Sequence, residues 1–121
     1  MSALVWAGVL FIGGTGSVLR FVVDGAVAKR VARAFPLGTF TVNMSGAAVL
    51  GIVTGLALTG DAALLAGTAA VGSYTTFSTW MLETRSLAAE RQLWVATTNI
   101  VASTAIGLAA ALWGQAIAQH F

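Results

Sequence analysis

Long apolar stretches without a single charged residue dominate the chain, and short polar turns separate them. The charge-free stretches cover residues 1–19, 34–60, 62–82 and 92–119. A helix that crosses a lipid bilayer needs about 20 mostly apolar residues, and each stretch is long enough, or nearly so. The pattern predicts an all-α integral membrane protein, a single domain over residues 1–121 with four transmembrane helices at about 3–23, 37–58, 62–88 and 93–118.

Turn-forming and charged residues mark the predicted helix boundaries. The segment from Asp24 to Phe35 is short and partly amphipathic, and Pro36 suits the first turn of the second helix, where a missing N–H costs nothing. Thr59-Gly60-Asp61 forms a tight turn, with glycine as helix stop and aspartate as N-cap. The next surface loop is Glu90-Arg91-Gln92. The connections are therefore short, and they leave no room for a soluble domain.

Composition and charge narrow the class of protein further. Hydrophobic residues make up 58% of the chain and charged residues 8%, against about a quarter charged in a soluble domain. A soluble globule and a disordered chain are excluded. The six Lys and Arg residues are spread over loops and form no basic groove, so we expect no nucleic-acid partner. The chain has no cysteine and hence no disulfide or thiol chemistry.

The run Gly-Ser-Tyr-Thr-Thr-Phe-Ser-Thr, from Gly72 to Thr79, is unusually polar for the third helix. Six of its eight side chains carry a hydroxyl, which predicts that the third helix is broken at mid-membrane, inside protein or beside a water-filled cavity. Free carbonyls at the end of the first half-helix would suit a cation. Free N–H groups at the start of the second, which carries Ser78 and Thr79, would suit an anion. The alternative is a polar seam between packed helices.

Two further polar side chains lie in or beside apolar stretches, and the residues alone leave two interpretations open for each. Asn43 either joins two helices by a hydrogen bond or donates its amide N–H groups to an anion. Arg20 either extends to the membrane interface or pairs with Asp24, or else it forms part of an anion vestibule. Asn43 also begins a stripe of small residues, with Ala47, Gly51 and Gly55, that serves packing within one subunit or contact between two.

No arrangement of residues indicates an enzyme. The one histidine, His120, lies next to the C-terminal residue, and Asp61 and Glu83 lie at opposite ends of one predicted helix. The glycine block at residues 13–16 is not followed by the Lys-Ser or Lys-Thr of a phosphate loop.

Three blocks, taken together in their order and spacing, identify a resemblance. They are Gly-Gly-Thr-Gly-Ser-Val-Leu-Arg at 13–20, Pro-Leu-Gly-Thr-Phe-Thr-Val-Asn-Met-Ser-Gly at 36–46, and the run at 72–79 extended to Trp80, with Glu83 after it. They resemble the small bacterial fluoride channels of the Fluc (CrcB) family over essentially the whole chain. The resemblance implies an antiparallel dimer with two pores in the cell membrane. Such a channel lets fluoride leave the cell passively and so reduces its toxicity.

The resemblance also implies roles for individual residues. Asn43 and Phe77 would line the pore, and Ser78 and Thr79 would belong to the fluoride pathway beside them. A structural sodium ion would lie at the dimer centre, held by the backbone carbonyls of Gly72 and Thr75. Carbonyl oxygens suit a hard cation, and the positive edge of an aromatic ring such as Phe77 can meet an anion.

The resemblance places Arg20 in the vestibule of the channel and adds a polar track on the fourth helix, which maps onto Asn99 and Ser103. The resemblance also places Trp80 in the fluoride pathway, where the chain departs from the family because a second phenylalanine is usual there. Tryptophan keeps an aromatic edge and adds an N–H donor, but it is larger.

Two other functions are alternatives to a fluoride channel. A small multidrug or guanidinium exporter has a similar length and four helices, but it needs a carboxylate within the membrane. The first helix has none, and Asp61 and Glu83 lie at helix ends. A non-conducting subunit of a two-chain fluoride channel is the other alternative.

The positive charges predict a fixed orientation in the membrane. Arg20, Lys29, Arg30 and Arg33 lie near the loop after the first helix, and the other two, Arg85 and Arg91, lie near the loop after the third. Both loops are on one side, and short loops rich in Lys and Arg face the cytoplasm. Both termini are then outside. An antiparallel dimer with itself would require the chain to insert both ways, so the asymmetry favours a sister chain of opposite topology.

Overall fold

The computed structural model describes residues 1–31 and 33–121, and all regular secondary structure in that part of the chain is helical. Ala32, within the segment predicted at 24–35, lies outside the described residues. We number the helices in chain order, and α3 comprises three consecutive segments, of which the middle one is a π-helix. The bounds are α1 Ala3–Arg30, α2 Leu37–Gly55, α3 Gly60–Ala63 with Leu64–Val71 and Gly72–Tyr74, α4 Ser78–Ala89, and α5 Leu93–Ala118.

Three of these helices are long and apolar enough to cross a membrane. They are α1, α2 and α5, and the search covered the described residues only. Large apolar side chains point outward along them, with Leu4 82% exposed and Trp94 85% exposed. In water such a surface would be unfavourable, whereas in a bilayer it faces lipid. The expectation of an all-α membrane architecture is therefore confirmed.

Two helix ends differ from the expected ones. The first helix does not stop at Val23 but continues to Arg30. No proline interrupts it there, and Lys29 and Arg30 in its last turn interact favourably with the negative end of the helix dipole. The second helix ends at Gly55 rather than at residue 58, because Ala57 adopts a positive φ of 55° that cannot continue a helix.

The helices α2 and α5 pack against each other through glycine. A Cβ atom on Gly51 would collide with the carbonyl oxygen of Ala111, and one on Gly114 would collide with the carbonyl oxygen of Ala48. Gly55 likewise lies against the carbonyl of Gln115, 2.6 Å from where its Cβ would be. The small-residue stripe of α2 therefore serves packing within the subunit, which was one of the two alternatives that the sequence left open.

The end of α3 is enclosed by close contacts with two other helices. A side chain at Gly16 of α1 would collide with the hydroxyl of Ser73, and a side chain at Gly46 of α2 would collide with the methyl group of Thr75. These contacts hold the junction of α3 and α4 against α1 and α2. The side chains of Ser73 and Thr75 are consequently only partly exposed.

Candidate ion pathway

The helical path is interrupted at Thr75–Phe77, between Tyr74 at the end of α3 and Ser78 at the start of α4. The backbone of Thr75 is extended, with φ −82° and ψ 161°. The side chain of Asn43 on α2 pairs with the backbone of Thr76 through two hydrogen bonds. Its Nδ2 donates to the Thr76 carbonyl at 2.8 Å, and its Oδ1 accepts from the Thr76 N–H at 2.9 Å. The Asn43 amide thus makes the hydrogen bonds to the N–H and the carbonyl of Thr76 that other backbone groups would make in a continuous helix.

Threonine side chains close the two helix ends at the interruption. Thr75 donates from both its backbone N–H, at 3.0 Å, and its hydroxyl, at 2.9 Å, to the carbonyl of Val71. The hydroxyl of Thr76 accepts from the N–H of Thr79 at 3.2 Å, as an N-cap residue does. Threonine side chains therefore bond to one backbone group at each of the two helix ends.

An open groove of about 290 Å³ brings several expected pathway residues together on one side of the interruption. Asn43, Phe77, Trp80 and Ser103 all line it. The Phe77 ring is 70% exposed. It meets Trp80 edge to face, with ring centroids 5.7 Å apart and an interplanar angle of 85°. The groove therefore combines an amide with aromatic rings, and aromatic edges are electropositive.

A second cavity of about 260 Å³ lies on the other side of the interruption. Arg20, Asp24, Thr39 and Thr79 contribute polar groups to it, and Thr76 lines both this cavity and the groove. Thr39 is only 2% exposed. Within the described residues its hydroxyl oxygen and the Nε of Arg20 have no hydrogen-bond partner. The cavity therefore holds a cation and a carboxylate, those of Arg20 and Asp24, beside the Thr76 backbone that Asn43 binds.

Asn99 and Ser103 of α5 belong to a buried hydrogen-bond network. Asn99 is 1% exposed. Its Nδ2 donates to the hydroxyl of Thr84 at 2.8 Å, its Oδ1 accepts from Ser103 at 3.4 Å, and its backbone carbonyl accepts from the indole N–H of Trp80 at 3.2 Å. In this single chain, Asn99 therefore joins α4 to α5, whereas Ser103 also reaches the groove.

Besides Asn99, two expected residues line neither cavity. Ser78 is exposed at the start of α4, and its hydroxyl lies 3.4 Å from that of Thr76. Gly72 is exposed in the last segment of α3, one turn before the interruption. Neither lines the groove or the Arg20 cavity.

Sequence reasoning missed the roles of three threonines. The backbone of Thr76 binds the side chain of Asn43. The hydroxyl oxygen of Thr39 is buried and has no hydrogen-bond partner among the described residues. The hydroxyl of Thr84 on α4 accepts a hydrogen bond from Asn99 on α5. Thr76 lies inside the hydroxyl-rich run, but nothing in the sequence separates it from its neighbours. The pairing with Asn43, 33 residues away, becomes visible only in three dimensions.

Comparison with known proteins places the chain in a family. Residues 7–115 match the family model described as CrcB-like protein, Camphor Resistance (CrcB). The chain is 68% identical over 115 residues, 95% of the chain and 94% of that protein, to "Fluoride-specific ion channel FluC 2" of Mycolicibacterium paratuberculosis.

Two further relatives show how widely the similarity extends. The chain is 63% identical over 119 residues, 98% of the chain and 94% of that protein, to "Fluoride-specific ion channel FluC 2" of Mycobacterium tuberculosis. It is 42% identical over 107 residues, 84% of the chain and 85% of that protein, to "Fluoride-specific ion channel FluC 2" of Haloarcula marismortui. The resemblance seen in the sequence is confirmed, and the chain belongs to the CrcB family as a multi-pass membrane protein.

Proposed function

We propose that this chain is a subunit of a fluoride-selective ion channel, through which cytoplasmic fluoride leaves the cell down its electrochemical gradient. The observation that carries this proposal is the 68% identity, over 95% of the chain, to a protein named a fluoride-specific ion channel. The relatives are named as channels, so we infer that the chain is not an enzyme. The family and the names of the relatives give no support to a multidrug or guanidinium exporter.

The chemistry of the interruption supports conduction of a small anion. The fluoride pathway would run along the groove, past the Asn43 amide and the exposed edge of Phe77, and reach the cavity that holds Arg20 and Thr79. Weakly polarised donors such as an amide and a ring edge can replace part of the anion's hydration without holding it tightly. Conduction requires that balance between entry and exit.

The proposed membrane architecture has four spans. Besides α1, α2 and α5, the third span would be α3 and α4 together, with the interruption Thr75–Phe77 at mid-membrane. A bilayer tolerates non-helical backbone only where protein or water satisfies it. The paired hydrogen bonds of Asn43 to Thr76 meet that condition from inside the protein. The groove is open along one side, and an antiparallel partner would complete it.

A structural sodium ion at the partner interface is a further part of the proposal. In the described hydrogen bonds of the interruption, the carbonyls of Gly72 and Thr75 accept no donor, whereas that of Val71 accepts two from Thr75. Free carbonyl oxygens at a helix end fit a hard cation. Two carbonyls from one chain are too few for a full shell, so the partner would supply others. Bound sodium would neutralise the negative end of α3.

The sodium site predicts a mild effect of Thr75→Ser, because the ligand is the carbonyl and serine keeps the hydroxyl that donates to Val71. We expect wild-type fluoride efflux, with a loss of about 1 kcal/mol in unfolding free energy from the missing methyl group. Crystals soaked with a heavier monovalent cation should show anomalous scattering beside residues 72 and 75. A refined water at that position would contradict the site.

The partner is proposed to be a sister chain of opposite topology. All six cations lie near the two loops on one side of the predicted four spans, and such loops stay in the cytoplasm. A reporter fused to the C-terminus should be active only outside the cytoplasm. Equal signal on both sides of the membrane, or full fluoride resistance conferred by this chain alone, would contradict the two-chain assembly.

Fluoride efflux from liposomes tests the proposed function directly. The purified chain is reconstituted alone and then together with the sister chain, and a fluoride electrode records efflux after ionophore addition. We expect efflux of fluoride and none of chloride, with empty liposomes as the baseline. Efflux only with both chains present would establish the two-chain channel, whereas no fluoride efflux under either condition would refute the function.

A further inference from the structure

The C-terminal end of α1 carries a shallow groove, and of the residues that line it only Phe21 also lines the Arg20 cavity. Its volume is about 480 Å³, and it is open along the outer face of α1. Six exposed residues line it, at the spacing that places side chains on one face of a helix. They are Phe21, Val22, Gly25, Ala26, Lys29 and Arg30.

Polarity changes in one direction along this groove. Phe21 is 80% exposed and Val22 55% exposed, and they form its apolar end. Gly25 forms an open floor, because a Cβ atom there would have nothing within 4 Å. Lys29 and Arg30 form the cationic end, in the last turn of α1. The groove therefore offers an apolar surface that leads, over two helical turns, to two adjacent cations.

The continuation of α1 beyond Val23 creates this arrangement. Had the helix ended at Val23, the cations would have followed in an irregular segment without a fixed relation to Phe21. As one helix, Phe21, Gly25 and Lys29 are spaced four residues apart, and so are Val22, Ala26 and Arg30. The cations are held about 12 Å along the helix axis from the apolar end, at a rise of about 1.5 Å per residue.

We propose that this groove, at the end of α1 that the proposed topology puts on the cytoplasmic side, binds an anionic phospholipid. Its phosphate would lie between Lys29 and Arg30, and its glycerol and upper acyl chain would rest on Gly25 against Phe21. The leaflet that faces the cytoplasm is negatively charged and attracts basic residues next to a transmembrane helix. A free phosphate would leave the apolar half of the groove unused, and a neutral lipid would leave both cations unpaired. Anionic lipid matches both ends.

Binding of defined lipids to the purified protein tests this proposal independently of fluoride conduction. Native mass spectrometry compares phosphatidylglycerol with phosphatidylcholine of the same acyl chains, for the wild type, Lys29→Gln, Arg30→Gln and the double variant. We expect preferential binding of phosphatidylglycerol, weakened about fivefold for each cation removed. Lys29→Arg keeps the positive charge and should bind phosphatidylglycerol as the wild type does. Arg91→Gln, which removes an exposed cation from the loop after α4, is the matched control and should bind as the wild type does.

A second variant tests the shape of the groove without any change in charge. Gly25→Leu fills the floor, and we expect it to lose the bound phosphatidylglycerol while its unfolding midpoint in lipid-free detergent stays that of the wild type. Equal binding of the two lipids would overturn the proposal. So would undiminished binding by the double variant, or thermal stabilisation by inorganic phosphate alone that equals stabilisation by phosphatidylglycerol.

Discussion

The helix α2 contacts two of its neighbours by opposite physical means. Toward α5 it presents Gly51, which brings backbone against backbone. Toward the α3–α4 junction it presents Asn43, whose amide makes two hydrogen bonds to the backbone of Thr76. The first contact depends on shape and contains no chemistry that an ion could use. The second places polar groups beside open space. One helix therefore carries both the framework of the subunit and the geometry of the proposed pathway.

Asn43→Asp has the largest expected effect among the variants that test this difference, and we expect it to abolish fluoride efflux. Aspartate can still accept from the Thr76 N–H, but it cannot donate to the Thr76 carbonyl, and it adds a fixed negative charge to the groove. Loss of that bond should cost about 1–3 kcal/mol of unfolding free energy, so the protein should still assemble. Liposome efflux measures the first effect, and size-exclusion chromatography checks assembly. Wild-type efflux from a folded Asn43→Asp channel would remove Asn43 from the pathway.

Gly51→Ala tests the close packing of α2 against α5. The added methyl group would collide with the carbonyl of Ala111, and we expect a loss of about 1–3 kcal/mol in unfolding free energy. Gly13→Ala is the matched control, because a Cβ at Gly13 has nothing within 4 Å, and it should be neutral or stabilising by up to about 1 kcal/mol. Thermal unfolding in detergent measures both. Equal stability of the two variants would contradict the close α2–α5 packing.

Phe77→Ile separates the aromatic edge from apolar bulk on the pathway side. Isoleucine retains much of the volume but has no electropositive ring edge, so we expect efflux to fall about tenfold, as the loss of about 1.4 kcal/mol would produce. Stability should hardly change, because the ring is 70% exposed. Phe77→Tyr keeps the ring and should conduct better than Phe77→Ile. Planar-bilayer recordings decide between them, and equal currents would show that the ring edge has no role.

Trp80→Phe has the smallest expected effect, and it tests the buried hydrogen-bond network around Asn99. Phenylalanine keeps a ring beside Phe77 but loses the indole N–H that donates to the Asn99 carbonyl at 3.2 Å. We expect a loss of about 1 kcal/mol in unfolding free energy, with fluoride efflux retained. Trp94→Phe, at an 85% exposed position on α5, is the control and should leave stability unchanged. An unchanged Trp80→Phe protein would show that the bond to Asn99 contributes nothing.

The sequence by itself determined the membrane class, the helical architecture and the family. Long apolar stretches without charge indicate a lipid environment. In lipid, a helix forms all the hydrogen bonds of its backbone within one segment. These properties depend on residues close together in the chain. The three motif blocks likewise identify the CrcB family without any structure.

Only the tertiary structure decided how the polar residues are used. Asn43 turns to Thr76, 33 residues away, and Asn99 turns to Thr84 on the neighbouring helix. The stripe of α2 meets α5 within the same subunit. A polar side chain in an apolar stretch must find a partner, and the sequence indicates that need. Which partner it finds depends on distances between helices, and those are set by the glycines that permit close packing.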